Sequence, residues 1–195
     1  LRWLDGVFAR YPELIIENCS SGGLRMDYAM LSRHSIQSTS DQEDYRSYAA
    51  IAANAPLGVT MEQSAIWAYP KSGVDEEETI FNMVNALLMR VHQSGHMIDI
   101  TAQQKALVKE GLDFYKTIRA DIRKAYPWWP LGFASFSDPW AALALDAGKR
   151  HYLAVWRLGG EDTVCLPMER LRGKKVHVRC VYPAEAKCEY AWNPH

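Results

Sequence analysis

Between residues 17 and 45 the chain reads ENCSSGGLRMDYAMLSRHSIQSTSDQEDY, which gathers carboxylates, a thiol and a double glycine around two short apolar segments. Two carboxyl groups in unlike environments can divide the work of general acid and general base between them. A cysteine is a strong nucleophile only where a base or positive charge raises its thiolate fraction. No histidine stands close to Cys19 in sequence, so the acids hold the chemical interest, Asp41 first. Its spacing also admits a plainer reading. Ser40 or Asp41, with Asp44 three or four residues on, has the pattern of a helix N-cap. The double glycine Gly22–Gly23 serves either a tight strand-to-helix turn or the approach of a ligand to the main chain.

Other constellations are weaker. The four cysteines, at 19, 165, 180 and 188, contain no C-x-x-C pair and no clustered histidines accompany them, so no metal site is expected. Free thiols in a reducing cytoplasm are the expectation, although Cys180 and Cys188 are near enough in sequence to pair. His92 and His96 are four residues apart, but Gly95 lies between them and no glutamate does, which removes the zinc-protease pattern. Trp67 and Tyr69, in WAYP, suit an aromatic wall for a flat ligand or part of a core. The acids 75–78 read as a solvated helix start.

The elements that must hold these residues alternate. LIIEN (14–18), SIQSTS (35–40) and LGVTMEQSAIW (57–67) have strand texture, with a short HMIDI (96–100) after them. Helical segments follow over 44–55, over 75–95 closed by Gly95, and over 101–126. Strand, loop and helix, repeated four times, are parallel βα units, each the size of a slice of a (β/α) barrel. Barrel chemistry sits at the C-terminal ends of the strands, where Cys19, Gly22 and Asp41 fall. His34 falls at the other end and is expected to be structural. Past residue 125 the texture changes to YPWWPLGF and then HYLAVWRLGG, DTVCLPM and KKVHVRCVYP, a small antiparallel β region.

A formal net charge of −1 argues against a nucleic-acid partner, and no apolar run reaches the roughly 20 residues that cross a bilayer. A cytoplasmic protein is expected. The chain opens at Leu1 within a helical phrase, LRWLDGVFARYPE, which reads as a piece of a longer protein. Half a barrel exposes an open sheet edge and an apolar inner face, so self-association is expected.

The phrase from Glu17 to Asp27 closely resembles the E-N-C-S-S-G-G-x-R-x-D of glycoside hydrolase family 36, the bacterial-type α-galactosidases. Thr39, Ser40, Asp41 and Asp44 resemble that family's T-S-D-x-x-D, and the interval from Cys19 to Asp41 also fits. The resemblance implies the last four βα units of a (β/α)8 TIM barrel over 1–125 and a C-terminal antiparallel β-sandwich domain over 126–195. It implies a retaining glycosidase that removes terminal α-linked galactose from oligosaccharides and needs no metal or organic cofactor. Asp41 matches the general acid/base. Cys19 and Gly22 match positions lining the galactose pocket, and Ser40, Asp44 and Arg25 fall in supporting places. The full-length protein is expected to form a homo-oligomer. An α-N-acetylgalactosaminidase would share the scaffold, and a non-catalytic carbohydrate-binding module would suit the tryptophans at 128, 129 and 140. Two departures stand out. Ser38 occupies a place where many members carry tryptophan, and the family's nucleophile phrase, of the type K-W-D, has only a superficial echo in RWLDG, at Asp5.

Overall fold

In the computed structural model, which describes residues 1–186 and 188–195, two sheets are joined by a shared apolar core. The first sheet is parallel. Its strands β1 (Glu17–Asn18), β2 (Ile36–Ser38), β3 (Ser64–Ala68) and β4 (Arg90–Gln93) lie side by side in chain order. Asn18 lies opposite Gln37, Ser38 opposite Ala65 and Trp67 opposite His92. Helix α1 (Arg2–Arg10) precedes β1, and α2 (Tyr28–Leu31), α3 (Tyr45–Asn54) and α4 (Glu76–Leu87) cross between successive strands. Helix α5 (Ala102–Ile122) follows β4. Helices α2 to α5 each start where the sequence supplies a cap, and α1, starting after Leu1, does not. Asp27, Asp44 and Asp75 accept backbone N–H groups in the first turns of α2, α3 and α4. Thr101 and Gln104 form a reciprocal capping box on α5.

The second sheet is antiparallel, with β6 (Trp140–Asp146) between β5 (Tyr126–Trp128) and β7 (His151–Arg157). It docks on α3, whose Ala49, Ala52 and Ala53 are fully buried and let the elements approach closely. Polar bonds fix the dock. Trp129 Nε1 donates to Ala53 O at 2.7 Å, and Asn54 exchanges two hydrogen bonds with the backbone of Ala134. One apolar cluster therefore runs from Ile66 and Met83 through Tyr48 to Leu143, Leu145 and Trp156.

The parallel βα order agrees with the sequence reading, but several boundaries differ. The LIIEN strand shortens to two residues because β1 has a neighbour on one side only, and Leu14 and Ile15 are exposed. The third strand starts at Ser64, after a 3₁₀ turn and a bend have used up residues 55–63. The long helix expected to Gly95 ends at Leu87, and Arg90–Gln93 is β4 instead of HMIDI. Leu87–Met89 and Val91 are apolar around Arg90, and so short an apolar run fits buried helix and buried strand equally. Gly95 closes the strand: its φ is +81°, and a Cβ there would stand 2.4 Å from Pro70 O. In the tail, 162–168 and 174–183 form no strands, and WAALALD, which reads as neither loop nor alternating strand, forms β6. Three antiparallel strands are present where a sandwich was expected. The four cysteines are unpaired.

The inner face of the parallel sheet is not apolar, contrary to expectation. It presents Glu17, Ser38, Trp67 and His92, which contact one another across all four strands.

Candidate active site

Asp41 stands in the loop that leaves β2 and enters α3, at the C-terminal edge of the parallel sheet, and its side chain is exposed. Among the described residues its carboxylate takes part in no hydrogen bond or ion pair. The helix cap belongs to Asp44, whose Oδ1 accepts the Ser47 N–H at 2.7 Å. That bond holds the Asp44 carboxyl below its usual value. Capping and availability for chemistry are thus divided between two aspartates three residues apart. Ser40 turns its hydroxyl inward on the loop, where Oγ accepts the Gln42 N–H at 3.1 Å.

The base of this loop is pinned by buried hydroxyls. Thr39 Oγ1 donates to Ala65 O at 2.9 Å. Tyr48, one turn into α3, reaches back so that its hydroxyl donates to Thr39 Oγ1 at 3.3 Å and accepts the Trp67 N–H at 3.1 Å. Burial, above all, pushes the Tyr48 phenol up, so it stays protonated and able to donate. Tyr48 is one of two tyrosines in an alanine-rich helix and carries no further signal in the sequence, so sequence reasoning passes over it.

The loop after β1 closes onto the Asp41 loop. Ser21 has φ +46° and Gly22 φ +71°. A Cβ on Gly22 would lie 2.6 Å from Ser40 Cα and 2.7 Å from Asp41 N. A Cβ on Gly23 would lie 2.8 Å from Thr39 O. Only a chain without side chains passes this close to another backbone, so Gly22–Gly23 pack main chain on main chain, where the sequence reading offered a tight turn or the approach of a ligand. Asn18, buried at the end of β1, ties the loop down by donating to Arg25 O at 2.9 Å and to Gln37 Oε1 at 2.5 Å. Arg25 contributes through that carbonyl. Cys19 is exposed beside the junction.

Aromatic groups form the adjoining wall. Trp67 and Tyr69 stack with centroids 6.3 Å apart and planes inclined by 16°. The edge of His92 meets Trp67 at 5.0 Å. Trp67 Nε1 donates to Ser38 Oγ at 3.0 Å. Tyr69 is pushed up to about 12, by burial first and then by the neighbouring Tyr48, Glu43, Asp41 and Cys19, so its phenol shares the surroundings of both candidate loops. His92 lies 3.7 Å from Glu17 Oε1, yet burial outweighs that carboxylate and lowers its pKa.

The remaining candidates lie elsewhere. Asp5 makes two bonds to the Arg33 guanidinium, at 2.6 and 3.2 Å, near the N-terminal end of β2 and so away from the Asp41 edge. His34 is buried, with Nδ1 2.8 Å from Met30 O. His96 sits in a turn after β4 and faces Asp99. No group of metal-ligating side chains is found among the described residues, and no helix there is long and apolar enough to cross a membrane. The three tail tryptophans are all partly buried. Trp128 is covered by Arg170 and His151, Trp129 is bonded to α3, and Trp140 begins β6.

No known family's sequence profile matches the chain. The α-galactosidase AgaA of Geobacillus stearothermophilus is 28% identical over 181 residues, covering 88% of this chain and 24% of that protein. The crystal structure of a variant of the same enzyme, in complex with raffinose, superposes with a TM-score of 0.71 at 22% identity, over 84% of this chain and 23% of the other. The galactosidase domain of the α-galactosidase-sucrose kinase AgaSK gives 0.72 at 22% identity, over 89% and 25%. The chain therefore spans about a quarter of the length of these relatives and shares the fold of the part it matches. Its resemblance to the family 36 α-galactosidases, carried in the sequence by two short phrases, extends over most of its length.

Proposed function

We propose that this chain carries the acid/base part of a retaining α-galactosidase site acting on terminal α-linked galactose of oligosaccharides. The observation that supports it best is the packing of Gly22 on the Ser40–Asp41 backbone. It sets the loop resembling the family's galactose-lining phrase against the loop whose Asp41 resembles the acid/base. In this reading Asp41 protonates the departing glycosidic oxygen and later takes a proton from the water that releases galactose. Its exposed, unbonded carboxylate is open to a glycosidic oxygen placed against it. Cys19 and Gly22 line the sugar, Cys19 near the 2-hydroxyl. Ser40, Asp44 and the Arg25 carbonyl hold the two loops, and Tyr48 fixes the base of the Asp41 loop.

A retaining mechanism needs a second carboxylate about 5–5.5 Å from the first, and needs neither metal nor organic cofactor. Asp5 is engaged by Arg33, Asp44 caps α3 and Glu17 faces His92. The nucleophile in this proposal is supplied by polypeptide beyond these 195 residues. The relative AgaA is known in complex with raffinose and with stachyose, and oligosaccharides of that kind are the substrates proposed.

The test is made on the longest form of the protein that hydrolyses a nitrophenyl α-galactoside. Asp41→Ala is expected to cut turnover of raffinose by about 10²–10⁴-fold and that of the nitrophenyl substrate, whose leaving group needs no proton, far less. Azide, which attacks without a general base, restores the second step and yields a galactosyl azide. Equal losses on both substrates with no azide product would overturn the assignment. The folded 195-residue chain alone is expected to show no turnover.

A further inference from the structure

A second polar cleft opens where the antiparallel sheet meets the first turn of α3, the helix that follows the Asp41 loop. It encloses about 280 Å³ and is lined by Arg46, Ser47, Phe136, Ser137, Asp138 and Gly160, among others. That is just under the ~300–1,000 Å³ typical of pockets for drug-sized ligands, and suits a single small ring. Neither sheet makes this cleft alone. Arg46 and Ser47 come from the helix that follows the Asp41 loop, and the rest from the β5–β6 connection and the turn after β7. Arg46 Nη2 donates to Leu158 O and closes the junction. Gly160, at φ +68°, passes so close to Pro139 that a Cβ would stand 2.9 Å from the proline ring, which keeps the far wall low.

Its chemistry is selective. Phe136 is 71% exposed, a large apolar face kept in water. Around it are the Arg46 guanidinium, one N–H of which is given to Leu158 O, and the Asp138 carboxylate, one oxygen of which accepts the Ser135 N–H at 2.7 Å. The hydroxyls of Ser47 and Ser137, the latter 3.1 Å from Ser135 Oγ, complete a lining that carries one charge of each sign, with donors and acceptors left over. A ring with one apolar C–H face and hydroxyls that both donate and accept meets all of these conditions. Asp41 and Arg46 are five residues apart, at most about 18 Å even for fully extended chain, within the span of a short oligosaccharide.

We propose that this cleft is a distal sugar subsite, taking an uncharged unit of an oligosaccharide whose terminal galactose lies against Asp41. This rests on the α-galactosidase reading for the position of the other end.

The test uses the full chain, labelled with ¹⁵N and titrated with stachyose and, separately, with galactose. Stachyose is expected to shift the amides of Ser137, Gly159 and Gly160 together with those of Gly22, Gly23 and Asp41. Galactose is expected to shift only the second group. Phe136→Ala should weaken stachyose binding about fivefold, as the loss of about 1 kcal/mol of contact does, without changing the galactose response, and Phe136→Trp should retain it. Silence at Ser137, Gly159 and Gly160 in saturating stachyose would overturn the subsite, as would an Ala variant that binds stachyose as well as the parent does. A response in the cleft with silence at Gly22 and Asp41 would leave the subsite standing and remove the galactosidase reading.

Discussion

Gly22 and Ser40 pass backbone to backbone so closely that the smallest side chain on Gly22 would fall 2.6 Å from Ser40 Cα. The atoms met are main-chain atoms, which cannot swing aside as the end of a flexible side chain can. Two loops from neighbouring strands are thereby locked into one unit.

Gly22→Ala therefore combines a disfavoured φ of +71° with a backbone clash. Gly73 isolates the first effect: its φ is +78° and nothing lies within 4 Å of a Cβ there. Gly73→Ala is expected to cost about 1–2 kcal/mol from the left-handed conformation alone. Gly22→Ala is expected to cost more in urea denaturation and to displace the Asp41 amide resonance. Equal costs would mean the two loops are not in contact in solution.

Asp41 and Asp44 should separate cleanly under substitution. Asp44→Ala removes a cap and is expected to lower stability by about 0.5–2 kcal/mol at neutral pH, with Asp44→Asn largely spared. Asp41→Ala, at an exposed and unbonded position, should change stability by no more than about 0.5 kcal/mol, and in the acid/base reading proposed above it lowers hydrolysis of poor leaving groups by the longer, active form of the protein. The Asp44 carboxyl lies below its ordinary 3.8 in the folded chain. Its contribution is full above that value and is lost as pH falls through the lower folded one. The gap between parent and Asp44→Ala should thus close on acidification, which denaturation at a series of acid pH values would read.

Much of this was legible in the chain because local chemistry and tertiary role coincide. The acid-rich start of α4 and the βα alternation each depend on a few adjacent residues. What stayed illegible depends on distant partners. Spacing around Asp41 offered Ser40 or Asp41 as the cap, but the helix starts later, at Tyr45, and its Ser47 N–H meets Asp44 Oδ1 instead. The short apolar run at 87–89 and 91 fits helix or strand, and pairing of Trp67 with His92 settles it. WAALALD has no clean alternation because β6 is buried on both faces, by α3 on one side. The polar inner face could not be seen at all, since Glu17, Ser38, Trp67 and His92 are scattered over 76 positions.

Ser38 and Trp67 supply a further prediction. Ser38 stands where many family 36 members have tryptophan, and here the indole arrives from the next strand, donating to the Ser38 hydroxyl at 3.0 Å. Ser38→Ala leaves the indole N–H without its partner, and Trp67→Phe leaves the fully buried hydroxyl without its donor. Each is expected to cost about 1–3 kcal/mol. Because both remove the same bond, the double variant should fall short of the sum by about 0.5–1.5 kcal/mol. Strict additivity in a denaturation cycle would show that the bond is not made.

Tyr69 marks the shared surroundings of both loops, and its alkaline titration can be read as stability. Its phenol is held up to about 12 against an ordinary 10.0, so between those values the unfolded chain releases a proton that the folded chain keeps. Stability contributed by neutral Tyr69 is complete below pH 10 and declines as pH rises toward 12. Tyr69→Phe cannot ionise, so its thermal melting temperature should fall less steeply across that window than the parent's. Asp41→Asn removes one of the negative charges that hold the proton on, and it should shift the Tyr69 transition downward in a difference absorbance titration against Tyr69→Phe. A Tyr69 transition indifferent to Asp41→Asn would place the aromatic wall outside the field of the acid, and would separate the two halves of the candidate site.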